Sequence, residues 1–239
     1  SQAVETFDLY EKVQLSVAAE TAYDQRKGFF SYSSAHQQMA ENFKVENNLQ
    51  PVTETSVMLP GTLADDGVDP TNLGSAFHEL AQIMVETQSK VDEKTIDRLC
   101  LKNSVPQRAI SRVKQALELW SNSAIRQEAL AHDVVIAESP FTLQVDSEYG
   151  NYVEGAIDLL AYNKGSKDAL VVDYKTGDKG LSATQIYENH QMQANFYAYV
   201  LMQCGFTKVE CAFVCVEVEE AGQPHVARYT FDVNHQPRL

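Results

Sequence analysis

Asp173, Tyr174 and Lys175 close an apolar run that begins at Ala169 and reads Ala-Leu-Val-Val-Asp-Tyr-Lys. A short apolar run bounded by turn residues reads as a buried β-strand. Side chains alternate along a strand, so Asp173 and Lys175 share one face and Tyr174 points away. Two charges at the end of a buried strand are costly to desolvate unless each has a partner. They can pair with each other, or Asp173 can take a metal ion and Lys175 a phosphate. Asp158, in Gly155-Ala-Ile-Asp158, belongs to the preceding extended segment. Two carboxylates and an amine converging from adjacent strands are the apparatus for metal-assisted cleavage of a phosphodiester. The competing roles are structural: turn-capping aspartates, and a plain ion pair between Asp173 and Lys175.

The elements that must hold these residues follow from periodicity. Residues 3–26 carry apolar positions at helical intervals, and Ser33 or Ser34 caps a second helix to about Val45. Residues 46–72, rich in Pro, Gly, Asp and Thr, read as a long loop. Asn72 or Gly74 opens a helix over 75–88 containing His78, followed by helices over 93–103 and over 106–132, the last in one or two segments around Trp120. The period then changes from helical to extended. Strands are expected over 134–145 (one or two), 152–162 and 169–176, with Asn163-Lys-Gly-Ser-Lys167 as a turn. A helix over 184–204 precedes two strands, 208–218 and 225–233, joined by Ala221-Gly-Gln-Pro224. The expected fold class is α/β: a central mixed sheet flanked by helices, with an N-terminal helical subdomain. One domain spans 1–239, with 1–132 mainly helical and carrying His78, and 133–239 forming the sheet core.

Bulk properties narrow the function classes. The chain has 239 residues, 44% hydrophobic and 22% charged, which suits a globular protein. No apolar stretch reaches the roughly 20 residues of a membrane span and no signal-peptide pattern opens the chain, so the expected location is cytoplasmic. Ser1 in place of an initiator methionine gives the expectation of a segment from a longer protein. The formal net charge of −14 argues against a free-standing nucleic-acid binder. It does not argue against a site for divalent cations. Cys100, Cys204, Cys211 and Cys215 fit neither a zinc ribbon nor a disulfide framework, and read as small hydrophobes. No Gly-x-x-x-x-Gly-Lys-Ser/Thr loop occurs, so the chain has no ATP site of that kind.

The order helices, three strands, helix, strands, with Asp158 on the second strand and Asp173-Tyr-Lys175 on the third, resembles the PD-(D/E)XK nuclease superfamily. In detail it resembles the nuclease domains of RecB- and AddA-type helicase–nucleases. There the pattern reads Gly-x-Ile-Asp, Asp-Tyr-Lys-Thr and Gln-x-x-x-Tyr. Here it is Gly155-Ala-Ile-Asp158, Asp173-Tyr-Lys-Thr176 and Gln193-Ala-Asn-Phe-Tyr197. A Gly-x-x-x-His element is matched by Gly74-Ser-Ala-Phe-His78, although Ala81 and Gln82 replace the Leu and Glu that often follow. Phe30-Ser-Tyr-Ser-Ser34 is similar to the segment with which these domains often begin, and Glu138-Ser-Pro-Phe141 to a Glu-x-Pro-Phe element.

The resemblance implies a restriction-endonuclease-like fold and gives each residue a role. Asp158, Asp173 and His78 would bind metal, with the Tyr174 carbonyl and Glu138 as further ligands. The ion would be Mg²⁺, or Mn²⁺, for which imidazole is the better ligand. Lys175 would align the attacking water and neutralise charge at phosphorus. Gln193 and Tyr197, four apart on one helix face, would orient the site or touch the DNA backbone; for Tyr197, core packing competes. Asp173→Ala or Lys175→Ala is expected to abolish cleavage while leaving the fold intact. The cysteine spacing argues against the iron–sulfur cluster found in some relatives. The implied function is a Mg²⁺-dependent deoxyribonuclease, in particular an exonuclease, acting in double-strand-break repair and recombination. Its DNA strand would be delivered by helicase domains of the same parent chain, with a second protein chain as partner. Two alternatives stay open: a stand-alone RecB-like or CRISPR-adaptation nuclease, and an inactive module that binds DNA or a partner.

Overall fold

The computed structural model describes residues 29–31, 69–147 and 150–237. The helices expected over 3–26 and 34–45, and most of the 46–72 loop, lie outside the described residues. The chain divides into two compact units, residues 1–59 with 140–156, and residues 60–139 with 157–239.

In the first unit, β1 (Phe29–Ser31) runs parallel to β3 (Gly150–Tyr162), pairing Phe29 with Tyr152 and Ser31 with Glu154. The Phe141 ring lies where a side chain on Gly155 would go: a Cβ there would come within 2.5 Å of it. That contact is why glycine opens the Gly155-Ala-Ile-Asp158 motif, since any larger residue would displace the ring.

The second unit is a mixed sheet with helices on both faces. β3 pairs with β2 (Val134–Ser147) and runs antiparallel to β4 (Asp168–Lys175). β4 runs parallel to β5 (Lys208–Glu220), and β5 antiparallel to β6 (Gln223–Phe231). A parallel pair needs a crossover, and the helix Ala183–Gln203 supplies it between β4 and β5. The order confirms the α/β class expected from the period change.

Helices α1 (Pro70–Thr87), α2 (Glu93–Lys102), α3 (Ile110–Ser121) and α4 (Ala124–Leu130) pack against one sheet face. Leu73, Ala76, Phe77, Leu80, Ala81 and Met84 form an i, i+3, i+4 stripe along α1, all buried. They share one core with Trp120 of α3 and with Leu170, Val172 and Tyr174 of β4. The helices therefore build their core jointly with the sheet. The other face of β4 and β5 is covered by α5 (Ala183–Gln203), whose Ser182 and Gln185 close a reciprocal capping box.

Two of the boundary differences from the sequence reading have a plain local cause. α1 starts at Pro70, not near Ser75, because the Asp69 carboxylate accepts from Thr71 N at 2.9 Å and Pro70 suits the first helical position. Gly74 therefore sits inside the helix. β5 runs on to Glu220 and turns through Ala221 and Gly222, both at positive φ (51° and 78°), as a tight hairpin requires. Pro224 is thus within β6, on the sheet edge, where a missing N–H is tolerated.

Candidate active site

The β4 strand leaves the core at Asp173-Tyr174-Lys175 and divides its side chains between two environments. Tyr174 enters the helical side, its ring edge-on to Trp120 at 4.8 Å and to Phe77 at 5.4 Å between centroids. Asp173 and Lys175 enter the α5 side. Asp173 is 2% exposed and its Oδ1 lies 2.6 Å from the Lys175 ammonium. Its Oδ2 accepts from Tyr197 OH at 2.9 Å and from Gln193 Nε2 at 3.1 Å. Gln193 closes the loop: its Oε1 accepts from Lys175 Nζ at 2.8 Å and its Nε2 also reaches Tyr197 OH at 2.8 Å. Two pairs, one expected on a strand face and one on a helix face, thus form one network. Lys175 keeps 22% of its side chain open and stands 5.4 Å above the Phe213 ring.

A second group of ligands gathers beside the first. The ligand atoms of His78, Glu138 and Asp158 all lie within 4.8 Å of one another. Asp158 Oδ1 sits 3.2 Å from His78 Nδ1, while Oδ2 accepts from Tyr174 N at 2.7 Å. His78 Nε2 is 3.2 Å from the Tyr174 carbonyl. Glu138 holds its place with φ of 49°, a left-handed conformation that non-glycine residues rarely adopt and that marks local strain. Asp173 stands apart from this trio in direct bonding, tied to Lys175 instead.

The electrostatics follow from burial and crowding. Burial, and then the Asp158 charge, raise the Glu138 carboxyl. Burial also raises Asp173, with Lys175 opposing. Burial disfavours the charged His78 ring, but the hydrogen bond and charge of Asp158 outweigh it and raise its pKa. Lys175 is likewise raised: the cost of burial is exceeded by Asp173, so the ammonium stays charged. Burial and the Asp173 charge push the Tyr197 phenol well up, fixing it as a hydrogen-bond donor.

A divalent cation fits these residues. One imidazole and two carboxylates whose ligand atoms lie within 4.8 Å of one another are a donor set for Mn²⁺ or Mg²⁺. Among the described residues the buried Asp173 Oδ1 meets the Lys175 ammonium at 2.6 Å and no other donor, and so retains lone-pair capacity.

Some participants were not legible beforehand. Thr176 Oγ1 lies 2.9 Å from where a Gly74 Cβ would be, so the absence of a side chain at Gly74 lets α1 approach the end of β4. Glu217 Oε2 accepts from Gly177 N at 3.3 Å, and Arg112 of α3 grips the same carboxylate at 2.8 Å. On the α5 side, His190 Nε2 meets Asp178 Oδ2 at 2.8 Å. His190 stands one turn before Gln193, so its helical phase was the signal available. Among the cysteines, Cys100, Cys211 and Cys215 are buried and Cys204 is exposed. Burial pushes the Cys211 and Cys215 thiols far up, as inert core residues require.

Comparison with known proteins adds the decisive observation. A model of the PD-(D/E)XK nuclease superfamily matches residues 43–235. The chain belongs to this superfamily. As a PD-(D/E)XK nuclease domain it is 32% identical over 164 residues to an ATP-dependent helicase/nuclease polypeptide of three Streptococcus agalactiae strains, of serotypes Ia, V and III. The match covers 64% of this chain but 13% of those proteins, so the chain spans only a small part of the curated relatives' length. A crystal structure from Eubacterium rectale, provisionally named an exonuclease, aligns over 98% of this chain and 80% of its own, at 12% identity and a TM-score of 0.44. Among the described residues of this nuclease domain, no helix is long and apolar enough to cross a membrane.

Proposed function

We propose that this PD-(D/E)XK domain is a divalent-metal-dependent deoxyribonuclease, working as the exonuclease part of an AddA-like helicase–nuclease in double-strand-break repair and recombination. The observation that carries the reading is the meeting of Asp173, Lys175, Gln193 and Tyr197 beside His78, Glu138 and Asp158. The whole of residues 1–239 is read as one nuclease domain. His78, Asp158 and Glu138, with Asp173 and the Tyr174 carbonyl, would hold Mg²⁺ or Mn²⁺. That ion would supply Lewis acidity and acidify water at the site.

The chain's own residues account for the rest. Lys175, held charged by Asp173 and aimed by Gln193, orients the attacking water and offsets negative charge developing on the phosphate. Tyr197 and Gln193 hold the Asp173 carboxylate in place through its Oδ2. Asp158 anchors the Tyr174 backbone and so fixes where β4 ends. The acidic balance of the chain, −14, fits a nuclease that receives its DNA strand from adjoining motor domains in the cytoplasm instead of capturing it alone. The similarity to the streptococcal ATP-dependent helicase/nuclease supports that context.

The test is digestion of end-labelled single- and double-stranded DNA with Mg²⁺, with Mn²⁺ and with chelator, beside Lys175→Ala. Cleavage that needs the ion and the lysine is the expected result. Metal-independent cleavage, or a fully active Lys175→Ala, would overturn the reading.

A further inference from the structure

The turn that follows Lys175 is anchored on both faces of the sheet. On the helical face Gly177 N is held by Glu217, itself gripped by Arg112, and Thr176 Oγ1 fills the space left by Gly74. On the α5 face the anchor is Asp178, whose Oδ2 pairs with His190 Nε2 at 2.8 Å and accepts from Cys215 Sγ at 3.3 Å. His190 lies flat on Phe213, with centroids 5.1 Å apart and planes 1° from parallel. Phe213 is the same ring over which the Lys175 ammonium stands. His190, Gln193 and Tyr197 are therefore one stripe of α5, touching Asp178, Lys175 and Asp173 in turn.

The geometry points to Asp178 and His190 as a positioning pair for Lys175: a latch between α5 and the strand exit that fixes where the ammonium stands. The inference rests on the nuclease reading above. The two side chains are only 12% and 13% exposed. A shielded, hydrogen-bonded pair of this kind returns little net stability compared with an apolar pair of similar volume. What it supplies is specificity of placement, because the directional hydrogen bond from His190 Nε2 to the Asp178 carboxylate admits one arrangement of the turn against α5. Asp178 is three residues beyond Lys175, and His190 is three residues before the glutamine that accepts from the ammonium. A slip at either end moves the lysine.

The experiment compares wild type with His190→Ala, His190→Gln, Asp178→Asn and the Asp178→Asn/His190→Ala double variant, by two readouts. The first is single-turnover cleavage of end-labelled DNA with Mg²⁺. The second is the rate at which acetic anhydride modifies Lys175, followed by peptide mass spectrometry without metal or DNA. His190→Ala is expected to lower the cleavage rate constant about 10–100-fold with DNA affinity within about twofold, the scale of an ångström misplacement. Lys175 acetylation should speed up about tenfold, the loss of one charge-assisted hydrogen bond. His190→Gln, whose amide N–H can reach Asp178, should restore both. The double variant should be no worse than the poorer single one, as for residues that act through each other. Cleavage or acetylation unchanged in both His190→Ala and Asp178→Asn, or additive losses in the double variant, would overturn the latch. If His190→Ala fails to fold, Asp178→Asn, nearly isosteric, decides by the same two measurements. Wild type that cuts no DNA would sink the nuclease reading, while the acetylation rates would still decide the latch.

Discussion

The two faces of β4 are built on opposite principles. Toward α1–α4, Leu170, Val172 and Tyr174 meet Phe77, Leu80 and Trp120 in a core held by apolar burial and edge-on aromatic contacts. Toward α5, Asp173 and Lys175 meet Gln193 and Tyr197, where each polar atom depends on a named partner. Dispersion and hydrophobic burial are spread over many atoms, so the first face tolerates changes of shape that preserve volume. Hydrogen bonds in a low-dielectric pocket are pairwise, so deleting one partner strands another. The strand is stable because of one face and chemically poised because of the other.

The sharpest way to break that contrast is Lys175→Ala. Cleavage should fall by about 10²–10³-fold or more, the scale of losing a preorganised charge. The structure also revises the expectation of an intact fold: the buried Asp173 would lose its counterion, a change that costs about 3–5 kcal/mol. Urea unfolding alongside the nuclease assay separates the two effects. On the other face, Trp120→Ala should cost about 3–5 kcal/mol of stability as a cavity opens beneath Tyr174. Below its lowered melting temperature this variant should still cleave DNA within about tenfold of wild type, since it removes none of the α5-side partners.

Glu138→Gln addresses the group of His78, Glu138 and Asp158. Mn²⁺ affinity measured by calorimetry should drop roughly tenfold, the lower end for disturbing a metal site's carboxylates. A smaller effect is expected from acid. Burial tends to raise Asp178, but the hydrogen bond and charge of His190 overcome it and hold the carboxyl below its ordinary value of 3.8. The stability this lends is fully present above 3.8 and is lost as pH falls through the lower folded value. Asp178→Asn should therefore lower the urea midpoint at neutral pH and flatten its decline below about pH 4. The mildest change is Gly74→Ala. Helix propensity gains about 0.5–1 kcal/mol, offset by the close approach to Thr176, so net stability should stay within about 1 kcal/mol. Cleavage should slow a few-fold, about the effect of a sub-ångström shift, and recover when Thr176→Ala removes the hydroxyl.

Much of this site could be read before any coordinates. Period two put Asp173 and Lys175 on one face and Tyr174 on the other, and period 3.6 put Gln193 and Tyr197 on one helical stripe, because these relations are fixed by local geometry. The family resemblance supplied His78 and Glu138, and the structure brings both within reach of Asp158. The same stripe passes through His190, yet nothing local named its partner. Asp178 lies twelve positions away, across a turn and a helix start. Arg112 and Glu217 are separated by 105 positions.

Local patterns along the chain were enough for the α/β class, the order of elements from 70 onward, and which side chains share a face, since each depends on neighbours within a few residues. Packing in three dimensions was needed to show that the helices after residue 70 complete the sheet's own core, and that Asp173 is claimed by Lys175 and α5 while His78, Glu138 and Asp158 gather beside it. It also decided that the turn after the lysine is clasped from both sides. Those outcomes depend on which strands and helices meet in space, and on how buried charges divide a limited set of partners, neither of which is encoded by spacing along the chain.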